Sequence, residues 1–137
     1  NAGFTTIPKT LSVIMVIIDV LSPKGNPASS VYFDLWCRVF DEGFVAISGK
    51  QGDLAFGAGY KGQRAVQTWT RRLEVLRDLG FVQTKPGPNA AHGYVIVMNP
   101  YKVVKALRAA NKIDDEHWFA LVQRANDVGA TELQETA

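Results

Sequence analysis

Residues 52–98 read GDLAFGAGYKGQRAVQTWTRRLEVLRDLGFVQTKPGPNAAHGYVIVM, and this stretch decides the fold. A short apolar helix is expected over 53–56, a glycine-rich turn after it, and a longer helix over 62–79 stopped by Leu79-Gly80-Phe81. Two strands joined by a polar loop follow. The order is helix, turn, helix, hairpin.

At about 100° per residue, the longer helix gathers Ala65, Val66, Trp69, Leu73 and Leu76 on one side. Gln63, Arg64, Gln67, Thr68 and Arg71 fall opposite, followed toward the C-terminal end by Glu74, Val75 and Asp78. The first half of the polar face is therefore basic and amide-bearing, and the second half is not. A helix that reads DNA presents its N-terminal residues to base edges, so acids at its far end cost little. Arg pairs bidentately with guanine, Gln with adenine, and a Thr methyl meets the thymine methyl; Arg64, Gln67, Thr68 and Arg71 form such a reading set. The same face also suits the solvated side of an ordinary amphipathic helix.

The hairpin adds weight to the first reading. Phe81-Val82-Gln83-Thr84 and Tyr94-Val95-Ile96-Val97-Met98 have strand composition, and residues 85–93 between them, with two prolines and two glycines, are expected to form an irregular, protruding loop. Residues 29–98 as a whole resemble the winged helix-turn-helix family of DNA-binding domains, in which a recognition helix is followed by a Leu-Gly-Phe/Leu-Ile/Val step and a two-stranded wing. The resemblance implies an α+β fold and double-stranded DNA as partner, contacted by helix 62–79 and wing 82–97. It implies base contacts from Arg64, Gln67, Thr68 and Arg71, and phosphate contacts from Lys61, Arg72, Lys85 and His92. Winged helices also serve as protein-interaction modules, which keeps a second class of function open.

Length and charge set the bounds. A chain of 137 residues, 47% apolar, suits one compact domain. A net charge of +2 excludes a polybasic arm, so affinity for nucleic acid must come from where the charge sits. Between residues 50 and 85, Lys50, Lys61, Arg64, Arg71, Arg72, Arg77 and Lys85 outnumber Asp53, Glu74 and Asp78. A single cysteine, Cys37, allows no internal disulfide and is read as a buried thiol in a reducing compartment, the cytoplasm. The chain opens Asn1-Ala2-Gly3 rather than with Met, a start that proteolytic trimming can leave; if it was trimmed, natural sequence precedes Gly3 or follows Ala137.

Around the central stretch, Thr10 is expected to cap a first helix through Leu21, apolar on most sides and either buried or paired with a second copy. It is about half the length of a membrane span. Ser29 or Ser30 caps the next helix, with Val31, Leu35, Trp36 and Val39 as its stripe and Tyr32, Phe33 and Phe40 widening it; Glu42-Gly43 ends it before a short strand over 44–48. Asn99-Pro100 starts a helix to about Asn111, and Asp114-Asp115-Glu116 opens a last one. The expected organisation is an N-terminal helix (3–24), the winged domain (29–98), two C-terminal helices (99–128) and a frayed tail (129–137). The extra helices need something to cover their stripes, either the domain itself or a homodimer.

Little points to catalysis. Gly57-Ala58-Gly59-Tyr60-Lys61-Gly62 spells G-x-G-x-x-G, but a dinucleotide site needs a buried strand before it and a parallel sheet around it. The glycines are read instead as the turn between two helices, with free N–H groups near Lys61 and Gly62 able to hold a phosphate. His92 and His117 lack partners at metal-ligand spacing, and no nucleophile elbow is present. No enzyme, cofactor, metal, membrane or small-molecule ligand is expected. The function expected is sequence-specific binding of duplex DNA by a bacterial transcriptional regulator, with a plasmid or mobile-element replication or partition protein as the alternative and a protein-interaction module third.

Overall fold

The structure is a computed structural model that describes residues 7–39, 44–87, 90–130 and 133, the side chains of residues 90–92 excepted. Among these residues the chain is α+β, with six helices and a three-stranded antiparallel sheet. In chain order the elements are α1 (Leu11–Leu21), α2 (Ser29–Arg38), β1 (Phe44–Ala46), α3 (Gln51–Gly57), α4 (Ala65–Leu79), β2 (Val82–Gly87), β3 (Ala90–Val97), α5 (Pro100–Ala109) and α6 (Asp115–Asp127).

The sheet order is β1-β3-β2, so the last strand lies between the other two. Strand alternation sends Val45, Val82 and Val95 into the core, where they meet Trp69, Leu73 and Leu76 of α4 and Val31, Tyr32 and Leu35 of α2. Tyr32 stands edge-on to Phe81, ring centroids 5.3 Å apart. Phe81 reaches that place because α4 stops sharply. Gly80 adopts φ +97°, and the Gly80 and Phe81 N–H groups both return to the Leu76 carbonyl.

Helix α1 forms as expected, burying Leu11, Ile14, Ile17 and Ile18, yet Val16 and Val20 on its other side are more than half exposed. Thr10 occupies the cap position without capping. Its buried Oγ1 lies 2.6 Å from the Tyr101 hydroxyl, which ties the start of α1 to α5. The expected serine cap of α2 is also replaced: Ala28 precedes the helix, and Asp19 of α1 caps it from outside. Its carboxylate accepts the Ser29 N–H at 3.0 Å and the Ser29 hydroxyl at 2.7 Å. Asn99 and Asp114 cap α5 and α6 as read, accepting the N–H of Tyr101 and His117 at 3.0 and 2.9 Å. Asn111, at φ +61°, follows the end of α5 in the left-handed region that asparagine tolerates.

Three further expectations need correction. Cys37 is exposed, because it lies about 200° around α2 from the buried Leu35. Its thiol is pushed up, by the desolvation of its surroundings first and by the Asp34 carboxylate second. The hairpin loop is shorter than 85–93, since β2 runs to Gly87 and β3 begins at Ala90. Pro86 fits because the register slips between Lys85 and Gly87, at a bulge where no ladder N–H is needed. Gly87 and Gly93 cross there so closely that a Cβ on Gly93 would lie 2.4 Å from the Gly87 Cα. Finally, α2 ends at Arg38 with Val39 already extended, short of the expected end near Asp41; residues 40–43 and most of the tail after residue 130 lie outside the described residues.

Candidate nucleic-acid interface

Helix α4 begins at Ala65, three residues later than the sequence suggests. Gly59 at φ +100° and Gly62 at φ +89° hold the preceding turn in the left-handed region, so Lys61 and Arg64 stand on the turn rather than in the helix. Gly57 serves a different need. A Cβ there would lie 2.5 Å from Nη2 of Arg38 and 2.8 Å from Oδ1 of Asp34, which pair across one turn of α2 at 2.7 Å. The glycines thus bring α3 against α2 and reverse the chain, and the element before them is the helix Gln51–Gly57, not a strand.

The polar face of α4 survives with two changes. Lys61, Arg64, Gln67 and Arg71 are exposed, and Gln67 and Arg71 sit one turn apart on the same side. Thr68 is half-buried on the flank, so it offers less to a partner than the other three. The buried arc is also turned from its expected centre. Val66 and Arg72 lie about 60° either side of Trp69, yet Val66 is 40% exposed and Arg72 is half-buried. Val66 therefore leaves the apolar set and Arg72 leaves the phosphate-binding set.

Arg72 is held inside the protein. Its Nη1 donates to the Tyr60 hydroxyl at 2.8 Å, its Nη2 reaches the Gly25 carbonyl at 3.3 Å, and its guanidinium carbon sits 4.8 Å over the Tyr60 ring. The Tyr60 hydroxyl also lies 3.0 Å from Ser30 Oγ. Sequence reasoning missed this link because twelve residues separate Tyr60 from Arg72, and no helical or strand period connects them. Lys85 is exposed near the middle of β2, directly opposite Tyr94 in the ladder. The His92 side chain lies outside the described residues.

Among the described residues no three His, Cys, Asp or Glu side chains gather into a metal site, and no helix is long and apolar enough to cross a membrane. No family model matches the chain, and no solved structure matches it. Over 70 residues, 49% of this chain, it is 37% identical to the 1,3,6,8-tetrahydroxynaphthalene synthase of Streptomyces griseus. The match takes in 19% of that protein's length. A likeness of that extent assigns no family, and the functional reading is built on the geometry of the chain itself.

Proposed function

We propose that the chain is a winged helix-turn-helix domain that binds double-stranded DNA through the outer side of α4 and the β2–β3 hairpin. The observation that carries this reading is the exposure of Gln67 and Arg71 on one side of α4, with Arg64 exposed on the turn just before it, while the opposite side, Trp69, Leu73 and Leu76, is fully buried. Two cations and an amide then face outward from a rigid element, which is the arrangement needed for guanine and adenine edges in a major groove. Lys61 on the turn before this helix and Lys85 on the exposed side of β2 are the cations we assign to backbone phosphates. The role we propose first is transcriptional regulation, and second a replication or partition protein of a plasmid or mobile element.

The test is binding to random-sequence duplex at two salt concentrations, followed by selection of a preferred site. Phosphate binding must weaken steeply with salt. Phe56, 69% exposed on α3, and Phe119, 60% exposed on α6, favour a second reading as a protein-interaction module. Absence of salt-sensitive duplex binding would decide for that second reading.

A further inference from the structure

The sheet has a second face, turned away from the core. Register sets Phe44 opposite Ile96, Ala46 opposite Tyr94, Gln83 opposite Ile96 and Lys85 opposite Tyr94. These residues alternate with the buried Val45, Val82 and Val95 and so share the outer side. Tyr94 is 42% exposed, Gln83 and Lys85 are exposed, and Phe44 is half-buried. The Phe44 and Tyr94 rings stand edge-to-face, centroids 6.1 Å apart and planes at 87°, so each braces the other. The three strands contain no Asp or Glu.

An accessible pair of aromatic rings, with an ammonium and an amide beside it on strands that carry no acid, matches the chemistry of unpaired nucleotides. Bases stack on ring faces, the phosphate meets the cation, and the amide reaches a base edge. An intact duplex offers no free base face to such a surface. We propose that the outer face of the sheet binds a short run of unpaired DNA, with bases stacked on Tyr94 and Phe44 and a backbone phosphate on Lys85. The choice of DNA rests on the duplex reading above, because a strand parting from a duplex held by α4 is DNA. The domain would then occupy a boundary between paired and unpaired strands.

Fluorescence anisotropy with a labelled oligothymidylate of about twelve residues, at low salt, tests this. Wild type binds; Tyr94→Ala and Phe44→Ala each weaken binding at least about fivefold, the low end for one base on one ring, and Tyr94→Phe keeps it. Tyr94→Ala weakens binding of the oligonucleotide more than it weakens binding of the duplex, while Arg71→Ala weakens duplex binding and spares the oligonucleotide. Should Arg71→Ala leave duplex binding intact, the duplex reading fails and the oligonucleotide result still stands on its own. Ultraviolet crosslinking of a bromodeoxyuridine oligonucleotide to wild type, mapped to Tyr94 or Phe44, does not depend on any variant folding. The proposal is overturned if wild type does not bind the oligonucleotide, or if the alanine variants bind it equally. It is also overturned if crosslinks map elsewhere, or if light scattering finds a dimer that Tyr94→Ala dissolves, which would make this face a contact between copies.

Discussion

Arg72 donates a 2.8 Å hydrogen bond to the hydroxyl of the same Tyr60 ring that its guanidinium covers at 4.8 Å. One side chain of α4 thereby grips the glycine turn twice, and through Tyr60 reaches Ser30 at the start of α2. The turn carries Lys61 and Arg64, so the grip fixes where those two cations stand relative to Gln67 and Arg71. Arg72 is in this sense a positioning residue.

Removing that grip should be felt as stability. A hydrogen bond from a charged donor and a cation–π contact together are worth roughly 2 kcal/mol. Arg72→Ala is expected to lower the chemical-denaturation free energy by about that amount, and Tyr60→Phe by about 1 kcal/mol. Arg72→Ala should leave the salt slope of any duplex binding unchanged. A slope reduced by about one would mean that Arg72 meets a phosphate after all.

Arg71 and Lys85 should behave in the opposite way. Both are exposed, so Arg71→Ala and Lys85→Ala are expected to change stability by less than about 0.5 kcal/mol. On a selected site Arg71→Ala should cost about 1–3 kcal/mol and relax preference at one base pair. Lys85→Ala should weaken all sequences alike and lower the salt slope by about one. Titrations of both variants against selected and random duplex at several salt concentrations check this.

The crossing of Gly87 and Gly93 admits no side chain. A methyl at Gly93 must push against backbone rather than against a flexible side chain, and its 2.4 Å approach to the Gly87 Cα cannot be relieved locally. Gly93→Ala is expected to cost about 1–3 kcal/mol and to shift the amide resonances of β2 and β3. Gly52→Ala, on α3 with open space around the added carbon, should be neutral or slightly stabilising.

Tyr32 makes stability depend on alkaline pH. Burial pushes its hydroxyl from 10.0 up to about 12, and the Trp36 indole beside it offsets part of this rise without closing a hydrogen bond. A group that holds its proton more tightly when folded contributes stability that is complete below pH 10. That contribution is lost as pH rises toward 12, and amounts to about 2–3 kcal/mol. Tyr32→Phe should flatten this segment of the stability–pH curve. At neutral pH it should cost nothing or stabilise slightly, because a buried hydroxyl without a hydrogen-bond partner among the described residues is removed.

Local signals in the sequence carried much of this far. The 3.6-residue period gave α4 and its exposed Gln67 and Arg71, glycine chemistry gave the stop at Gly80, and the capping preference of Asn and Asp gave Asn99 and Asp114. What escaped was set by contacts distant in sequence. Asp19 capping α2 and Arg72 turning inward to Tyr60 each join residues that no helical or strand period relates. Periodicity also fixes relative angles on a helix but not its rotation against the core, which is why Val66 and Arg72 exchanged places. Cys37 failed for a related reason: an apolar neighbourhood in sequence did not make an apolar neighbourhood in space.

Two ties close the molecule on itself: Thr10 to Tyr101, and the Arg124 guanidinium to the Lys9 carbonyl at 3.2 Å, across 115 positions of chain. During synthesis, helix α1 leaves the ribosome before α5 and α6 and gains these partners only when they follow. Until α5 and α6 emerge, part of its aliphatic surface has only α2 to rest against, and a nascent chain of this kind is a natural client for a chaperone that shields such segments. The packing around α1 is therefore completed only once α5 and α6 have joined it.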